Sequence, residues 1–239
     1  MKAAALRIFA GLWDSYDEVL EYATLMQDMR WKAWVIGSLG RGSQAAVLDV
    51  GCGTCVLEGM MRGDGRVVGV DLSDGMVRAG QRKRIPRVAS LLRSDGERLP
   101  FRESSFDAVV SCYVVKYCST DLLVSEMARV LKPGGRLVVY DFVRPRGRLW
   151  PLNAIYVYGG VRMAGALLET AGLGVSTTFA ELPGIIARSS WDDGFREVLL
   201  RAGLTPRKEK LLSGGVAMGF VADKSARESS LMRATSIAP

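Results

Sequence analysis

Val47-Leu48-Asp49-Val50-Gly51-Cys52-Gly53-Thr54-Cys55, followed after a helical interval by Val67-Val68-Gly69-Val70-Asp71, is the stretch that decides the fold of this chain. A short apolar run that ends in an acidic residue and two glycines is how a buried parallel strand looks when it breaks into a tight turn ahead of a helix. Glycine there lets the backbone turn and lets a ligand come close to it. The second apolar run follows at the spacing of a βαβ unit and ends in Asp71, whose carboxylate can accept two hydrogen bonds from a ribose diol. The stretch reads as a nucleoside-binding turn. Taken alone, Gly-x-Gly after a strand is as often a bare βα turn, so the assignment leans on the residues downstream.

Composition sets the outer bounds. With 239 residues the chain suits one α/β domain with an elaboration, and 24% charged residues fit neither a disordered nor a fibrous class. The net charge of +7 raises the question of nucleic acid. Its basic clusters, Arg82-Lys83-Arg84 with Arg87, and Arg144, Arg146 and Arg148, are not interleaved with aromatics as in single-strand binders, so solvated faces are the better reading. An anionic lipid surface is a second partner for them. No histidine is present, which removes every His-based acid, base or metal ligand. The thiols are Cys52, Cys55, Cys112 and Cys118. Cys52-x-x-Cys55 has redox or metal spacing, yet zinc needs two further ligands, and the pair lies inside the nucleoside turn. Structural thiols and no metal are the expectation. The N-terminus lacks a secretory pattern, which predicts a cytoplasmic protein, with peripheral membrane contact as a further expectation.

Along the chain, residues 6–39 carry a proline-free helical pattern that includes Phe9, Trp13, Tyr16, Asp17, Trp31 and Trp34. The tryptophans read as packing; Tyr16 is divided between packing and a place over the ligand. A turn at 40–44 precedes the first strand. After Asp71, Ser73 or Asp74 caps a helix that ends by Pro86. Residues 88–92 form a third strand, leading to Asp95-Gly96 and Leu99-Pro100-Phe101. A fourth strand, 108–113, points Tyr113 to Tyr117 toward the edge where ligands sit. Helix 121–131 buries Leu123, Met127 and Val130, and strand 137–142 follows the turn Lys132-Pro133-Gly134-Gly135. Residues 144–190 contain an uncharged run, 149–161, too short to cross a bilayer that needs about 20 apolar residues. Apolar patches follow around Leu168 and Phe179. The segment reads as two packing helices or, from its length between strands, as a lid over an apolar substrate. A helix at 191–201, capped by Gly203, leads into a hairpin of strands 205–212 and 216–222 around Ser213-Gly214-Gly215. A loosely held tail closes the chain.

Glycine spacing narrows the nucleoside. A dinucleotide fingerprint needs a glycine three residues after Gly53, where Val56 stands, and no G-x-x-x-x-G-K-[ST] segment exists. What remains resembles the first motif of class I S-adenosylmethionine-dependent methyltransferases, D-x-G-x-G-x-G before a second strand with an acidic end, although Cys55 replaces the last glycine. Tyr16-Asp17 with Trp31, Asp71, Asp95, Leu99-Pro100-Phe101, the phrase from Arg129 to Gly135 (R-V-L-K-P-G-G) and the ending Leu212-Ser213-Gly214-Gly215-Val216 extend the likeness to the ubiquinone/menaquinone biosynthesis C-methyltransferase family. The departure is Lys116-Tyr117, where that family commonly carries Arg-Asn.

The resemblance implies a Rossmann-like α/β fold: a seven-stranded, mostly parallel sheet with an antiparallel last strand and helices on both faces. It implies one domain over residues 1–224, with an N-terminal helical layer (1–43), a helical lid between strands 5 and 6 (144–190), and a flexible tail (225–239). The implied activity is methyl transfer from S-adenosylmethionine to a prenylated quinone precursor or similar apolar small molecule, with another small molecule or RNA as the alternative acceptor. Cofactor contacts would be Asp49, Gly51, Cys52, Gly53, Asp71, Leu72, Met76, Asp95, Gly96 and Cys112. Tyr113, Tyr117 and Tyr156 would meet the acceptor, Lys116 would steady a phenolate, and Tyr16 would act beside it; no general base is named.

Overall fold

The two apolar runs of the opening stretch are neighbouring parallel strands. In the computed structural model, which describes residues 2–9, 12–40, 46–170 and 176–226, β1 (Ala46–Val50) pairs with β2 (Arg66–Asp71), setting Leu48 beside Val68 and Val50 beside Val70. The other strands are β3 (Val88–Arg93), β4 (Phe106–Cys112), β5 (Leu131–Phe142), β6 (Leu204–Leu212) and β7 (Ala217–Lys224). Their order is β3-β2-β1-β4-β5-β7-β6, and β7 runs antiparallel to both its neighbours. The expected seven-stranded, mostly parallel sheet with an antiparallel last strand is what the chain forms. Its order reverses between β1 and β4, and a crevice opens at the carboxyl ends of strands at such a switch point.

The helices are α1 (Lys2–Phe9), α2 (Tyr16–Ala23), α3 (Asp28–Leu39), α4 (Val56–Met60), α5 (Asp74–Arg82), α6 (Thr120–Val130), α7 (Trp150–Ile155), α8 (Val161–Thr170), α9 (Ser176–Arg188) and α10 (Phe195–Arg201), with a wide turn at Tyr156–Gly160 joining α7 to α8. Strand side chains alternate between faces. Val47, Val67 and Val138 therefore pack with Trp31, Val35 and Leu39 of α3 and Leu57 of α4. Leu48, Val50 and Val139 pack on the other face with Leu123, Val124 and Met127 of α6 and with Phe195 and Leu199 of α10. Burial of that many large apolar groups, each contributing about 1.5–3 kcal/mol, is what holds the helices to the sheet.

The helical pattern over 6–39 is divided among three helices of the N-terminal layer. One helix of that length would extend about 50 Å, beyond the edge of the sheet it must cover. The chain breaks instead at residues 12–15 and 24–27, with Leu25 (φ 48°) and Met26 (φ 61°) in the left-handed region. There Thr24 Oγ1 accepts from the Asp28 N–H at 3.2 Å, satisfying one free donor of the next helix. The cap of α5 is Ser73, which accepts from Met76 N–H at 3.4 Å, while Asp74 pairs with Arg78. The turn expected at 41–44 and the tail from 227 lie outside the described residues, as do the side chains of Leu168 and Phe179.

The β6–β7 hairpin closes the sheet and also seats the insertion between β5 and β6. Asn153 Nδ2 donates to Gly214 O at 2.8 Å, and Gly215, at φ 112°, lies so close to the chain that a Cβ would sit 1.9 Å from the Arg146 carbonyl oxygen. Gly215→Ala is expected to cost about 2–4 kcal/mol by urea unfolding, from left-handed strain plus a backbone clash; a loss under about 0.5 kcal/mol would show that the hairpin tolerates a side chain there.

Candidate active site

The turn after β1 is built from left-handed residues: Gly51 (φ 84°), Gly53 (φ 53°) and Cys55 (φ 66°). A Cβ on Gly51 would stand 2.1 Å from a Val114 methyl, so only glycine fits between the turn and the end of β4. The turn is tied to β2 twice. Gly51 and Cys52 N–H groups donate to Val70 O at 2.7 and 3.0 Å, and the Asp71 carboxylate accepts from Gly53 N–H at 2.9 Å and from Ser73 N–H at 2.8 Å. Each Asp71 oxygen keeps a second acceptor site. Burial pulls the Asp71 pKa up, and those backbone donors partly offset it.

Asp71 opens onto a cleft of about 790 Å³, counting its open mouth. Of the residues expected at the cofactor, Gly51, Gly53, Asp71, Leu72, Met76, Asp95, Gly96 and Cys112 line it, together with Tyr16, Tyr113 and Tyr117. Asp49 and Cys52 do not. Asp49 is buried on β1 beneath the turn, and the Cys52 thiol packs on Gly69 of β2; both border a smaller neighbouring space of about 340 Å³. Tyr156 stands apart as well. Its hydroxyl donates to the Ala23 carbonyl and its ring packs with Leu12, Val19 and Val161, making it a strut between the insertion and α2.

A second space of about 430 Å³, counting its open part, adjoins the cleft, walled by Phe9, Tyr16, Val19, Leu20, Ala23, Tyr113, Lys116, Tyr117, Phe142 and Leu182. Phe9, Tyr16, Tyr113 and Tyr117 belong to both, so the two spaces share a wall. Lys116 is the charged residue of the inner lining. It is 2% exposed, donates to Asp141 Oδ1 at 2.7 Å and to the Tyr113 carbonyl at 2.6 Å, and lies 4.3 Å above the Tyr117 ring. Burial lowers the Lys116 pKa and raises that of Asp141, each held back by the other's charge. Burial also pushes the phenols of Tyr16, Tyr113 and Tyr117 upward, so all three stay protonated near neutrality and none is a base.

Several site residues leave no mark in the sequence pattern. Lys2 pairs with Asp95 and Glu97, each at 2.6 Å, and so lays α1 across the cleft with Ala5, Leu6 and Phe9 facing in. Against the upward pull of partial burial, Lys2 and the Glu97 N–H hold Asp95 below the usual carboxylate range. Asp28 accepts from Tyr113 OH at 2.9 Å and Tyr140 OH at 3.3 Å while pairing with Lys32. Asp141 reads in the sequence as one more residue of the strand 137–142. The contacts of Lys2 and Asp28 span 93 and 85 residues, and periodicity carries no information at that range. The clue available for Asp141 was an acidic residue inside an apolar strand.

The sheet order and the glycine turn at its switch point define the fold: a Rossmann-like α/β domain with the strand topology of class I methyltransferases. Residues 48–139 match the family described as methyltransferase domain. The chain is 37% identical over 145 residues to a demethylmenaquinone methyltransferase of Mycolicibacterium paratuberculosis, a match covering 60% of this chain and 61% of that protein. It is 38% identical over 154 residues to the protein of the same name from Beutenbergia cavernae, covering 62% of each. The aligned region thus spans about three fifths of these relatives. Among solved structures, a SAM dependent methyltransferase from Aquifex aeolicus superposes with a TM-score of 0.55 at 19% identity, over 80% of this chain and 88% of that one. Geranyl diphosphate C-methyltransferase from Streptomyces coelicolor A3(2), solved with Mg²⁺, geranyl diphosphate and S-adenosyl-L-homocysteine, superposes with a TM-score of 0.59 at 18% identity, over 82% and 79%. These superpositions share the fold. Among the described residues no helix is long and apolar enough to cross a membrane.

Lys116→Ala is expected to destabilise the protein by about 3–5 kcal/mol in urea, because it strands the Asp141 carboxylate in the core. Adding Asp141→Asn should recover a large part of that loss. A single variant as stable as wild type would mean that the pair is not ionised in the folded state.

Proposed function

We propose that this chain is an S-adenosylmethionine-dependent methyltransferase acting on an apolar, ring-bearing small molecule of the prenylated quinone-precursor class. The observation that carries this reading is the shared wall: the cleft at Asp71 adjoins an apolar space lined by one buried ammonium. The names of the relatives support the acceptor class, and the geranyl diphosphate enzyme shows that the same fold accommodates an isoprenoid.

The residues fit the cofactor. Asp71, with a spare acceptor site on each oxygen, would take the ribose diol; Asp95 and Gly96 would meet the adenine edge between the apolar walls of Leu72 and Met76; Gly51 and Gly53 would admit the amino-acid part. Bound there, S-adenosylmethionine supplies an already activated methyl group on a sulfonium. The chain's own work is then alignment and exclusion of water, which can lower a barrier by several kcal/mol. Phe9, Tyr16, Tyr113 and Tyr117, common to both spaces, would hold the acceptor ring at the boundary. Lys116, with two of its protons on Asp141 and Tyr113 O, keeps its remaining field on the inner space and would favour negative charge on a ring oxygen there. Helices α7 to α9, which contribute Leu182 to that space, would act as the lid.

The basic clusters support a small-molecule reading over RNA. Arg82 and Lys83 pair with Asp14 and Asp17, and Arg144 and Arg146 pair with Asp193 and Asp192, so their charge is largely met within the fold. The deciding experiment is transfer of labelled methyl from S-adenosylmethionine to a prenylated naphthoquinone precursor, with cofactor binding followed by calorimetry. Asp71→Asn is expected to weaken cofactor binding about 10–100-fold, as loss of charge-assisted hydrogen bonds predicts; unchanged affinity would remove Asp71 from the site and the cofactor reading with it.

Such an acceptor lives in a bilayer, and the outer surface of the insertion suits one. Trp150, Leu152, Ile155 and Met163 are 58%, 65%, 70% and 66% exposed on the run from α7 to α8, with Arg148 and Arg162 exposed beside them. Apolar side chains flanked by arginine are the pattern of a helix lying on an anionic leaflet. The expected result is co-sedimentation with phosphatidylglycerol-containing vesicles, weaker on pure phosphatidylcholine, and reduced about tenfold or more in Leu152→Ser/Ile155→Ser. Equal sedimentation of the double variant would rule this surface out.

A further inference from the structure

Beneath the cofactor turn lies a second cluster that methyl transfer does not use. The sulfurs of Cys52 and Cys55 and a carboxylate oxygen of Glu58 lie within 4.8 Å of one another, and all three residues are buried. Glu58 is 0% exposed and neither of its oxygens has a hydrogen-bond partner. The Asp49 carboxyl faces it, itself 2% exposed, with Oδ1 likewise unpartnered. The groups that face these two carboxyls are each other, the Cys55 thiol and, further off, the Lys32 ammonium, so the pair is held by shared protons or by a cation.

The surrounding backbone is shaped around the two sulfurs. A Cβ on Gly69 would come within 2.8 Å of Cys52 Sγ, and one on Gly80 within 2.7 Å of Cys55 Sγ, so both neighbouring elements give up a side chain where a thiol sits. Cys55 N–H donates to Cys52 O at 2.9 Å, a tight turn that folds the two thiols toward each other, with Cys55 left-handed at φ 66°. A non-glycine residue is strained there.

We propose that Cys52, Cys55 and Glu58 bind one divalent cation of the zinc class, with the Asp49 carboxyl beside Glu58 as their neighbour. Two sulfurs and a carboxylate, completed by one further oxygen, match the four-coordinate preference of zinc and need no histidine, of which the chain has none. Magnesium and calcium are disfavoured, since they take six or more oxygen ligands and avoid sulfur. On binding, each thiol loses its proton to solvent as its S–H is replaced by a sulfur–metal bond, and the carboxyls release whatever protons they share. The bound ion would clamp the turn that carries Gly51 and Gly53 to the start of α4. This site is independent of the methyl-transfer reading, because it needs neither cofactor nor acceptor.

The test uses the full chain, stripped with a chelator under reducing conditions and titrated with Co²⁺ and then Zn²⁺. The expected result is one equivalent of Co²⁺ with a near-ultraviolet thiolate-to-metal band and strong visible bands of a four-coordinate site, displaced by Zn²⁺. Cys55→Gly, which places glycine in a left-handed position and so folds, should at least halve the thiolate band and weaken Zn²⁺ binding by more than the ~10–100-fold that losing an outer-shell partner costs. Glu58→Gln should keep the band with weaker affinity. A wild-type protein without a thiolate band, or Cys55→Gly with unchanged Zn²⁺ affinity, would overturn the proposal. Calorimetry with S-adenosylmethionine on the same metal-free samples separates failure of this site from failure of the cofactor reading.

Discussion

The Asp71 carboxylate is the tie on which the rest of the site depends. One oxygen holds the Gly53 N–H of the β1 turn and the other holds the Ser73 N–H at the start of α5, so a single side chain fixes two loops from different βα units. Hydrogen bonds to a charged acceptor are roughly twice as strong as neutral ones, and here they immobilise backbone that must remain open to a ligand. The switch point between β1 and β4 opens the crevice, but the sheet alone would leave its rim free to move. With the rim tied at Asp71, the left-handed turn at Gly51 and Gly53 has a defined shape, and Val114 can pack against it at a distance no side chain on Gly51 would permit.

Below that rim the chain accepts two buried ion pairs. Lys116–Asp141 and Lys32–Asp28 lie among tyrosines that cap the unused lone pairs or stack under the ammonium groups. Buried pairs contribute little net stability against well-packed apolar residues of the same volume. Their value here is positional. Asp28 on α3 fixes the hydroxyls of Tyr113 and Tyr140 from the ends of β4 and β5, and Asp141 fixes both Nζ and N–H of Lys116. The walls between the two spaces are thereby held by polar contacts with defined directions, whereas an all-apolar lining could repack.

Legibility in the sequence followed range. The strand ends Asp49 and Asp71, the hairpin at Ser213-Gly214-Gly215 and the paired glycines are local patterns whose backbone meaning is nearly unique, and they yielded the sheet and the cleft. The helical pattern over 6–39 did not show where its helices divide, because apolar spacing alone does not report where the chain must fold back, and Leu25 and Met26 are unusual residues for left-handed turns. Tyr156 has the chemistry of a pocket residue and the place of a strut, a distinction set by the path of the insertion over α2. Lys2 is invisible for the opposite reason: its partners at Asp95 and Glu97 become neighbours only once α1 crosses the strand ends.

Cys55 shows where local rules and site chemistry pull apart. The backbone at that position prefers glycine, and the motif it resembles has glycine, yet the thiol is fully buried with Gly80 cleared opposite it. Strain of this kind persists only where the surroundings over-determine the conformation. The backbone bonds from Val70 and the Asp71 contact to Gly53 hold the turn whatever residue follows it, which lets a side chain with a chemical use occupy a glycine position. A buried Glu58, three residues on in the short helix that Cys55 precedes, makes a second departure from an apolar core at the same spot. Two unfavourable choices that face each other across less than 5 Å are more simply explained by one shared ligand than by two unrelated lapses in packing.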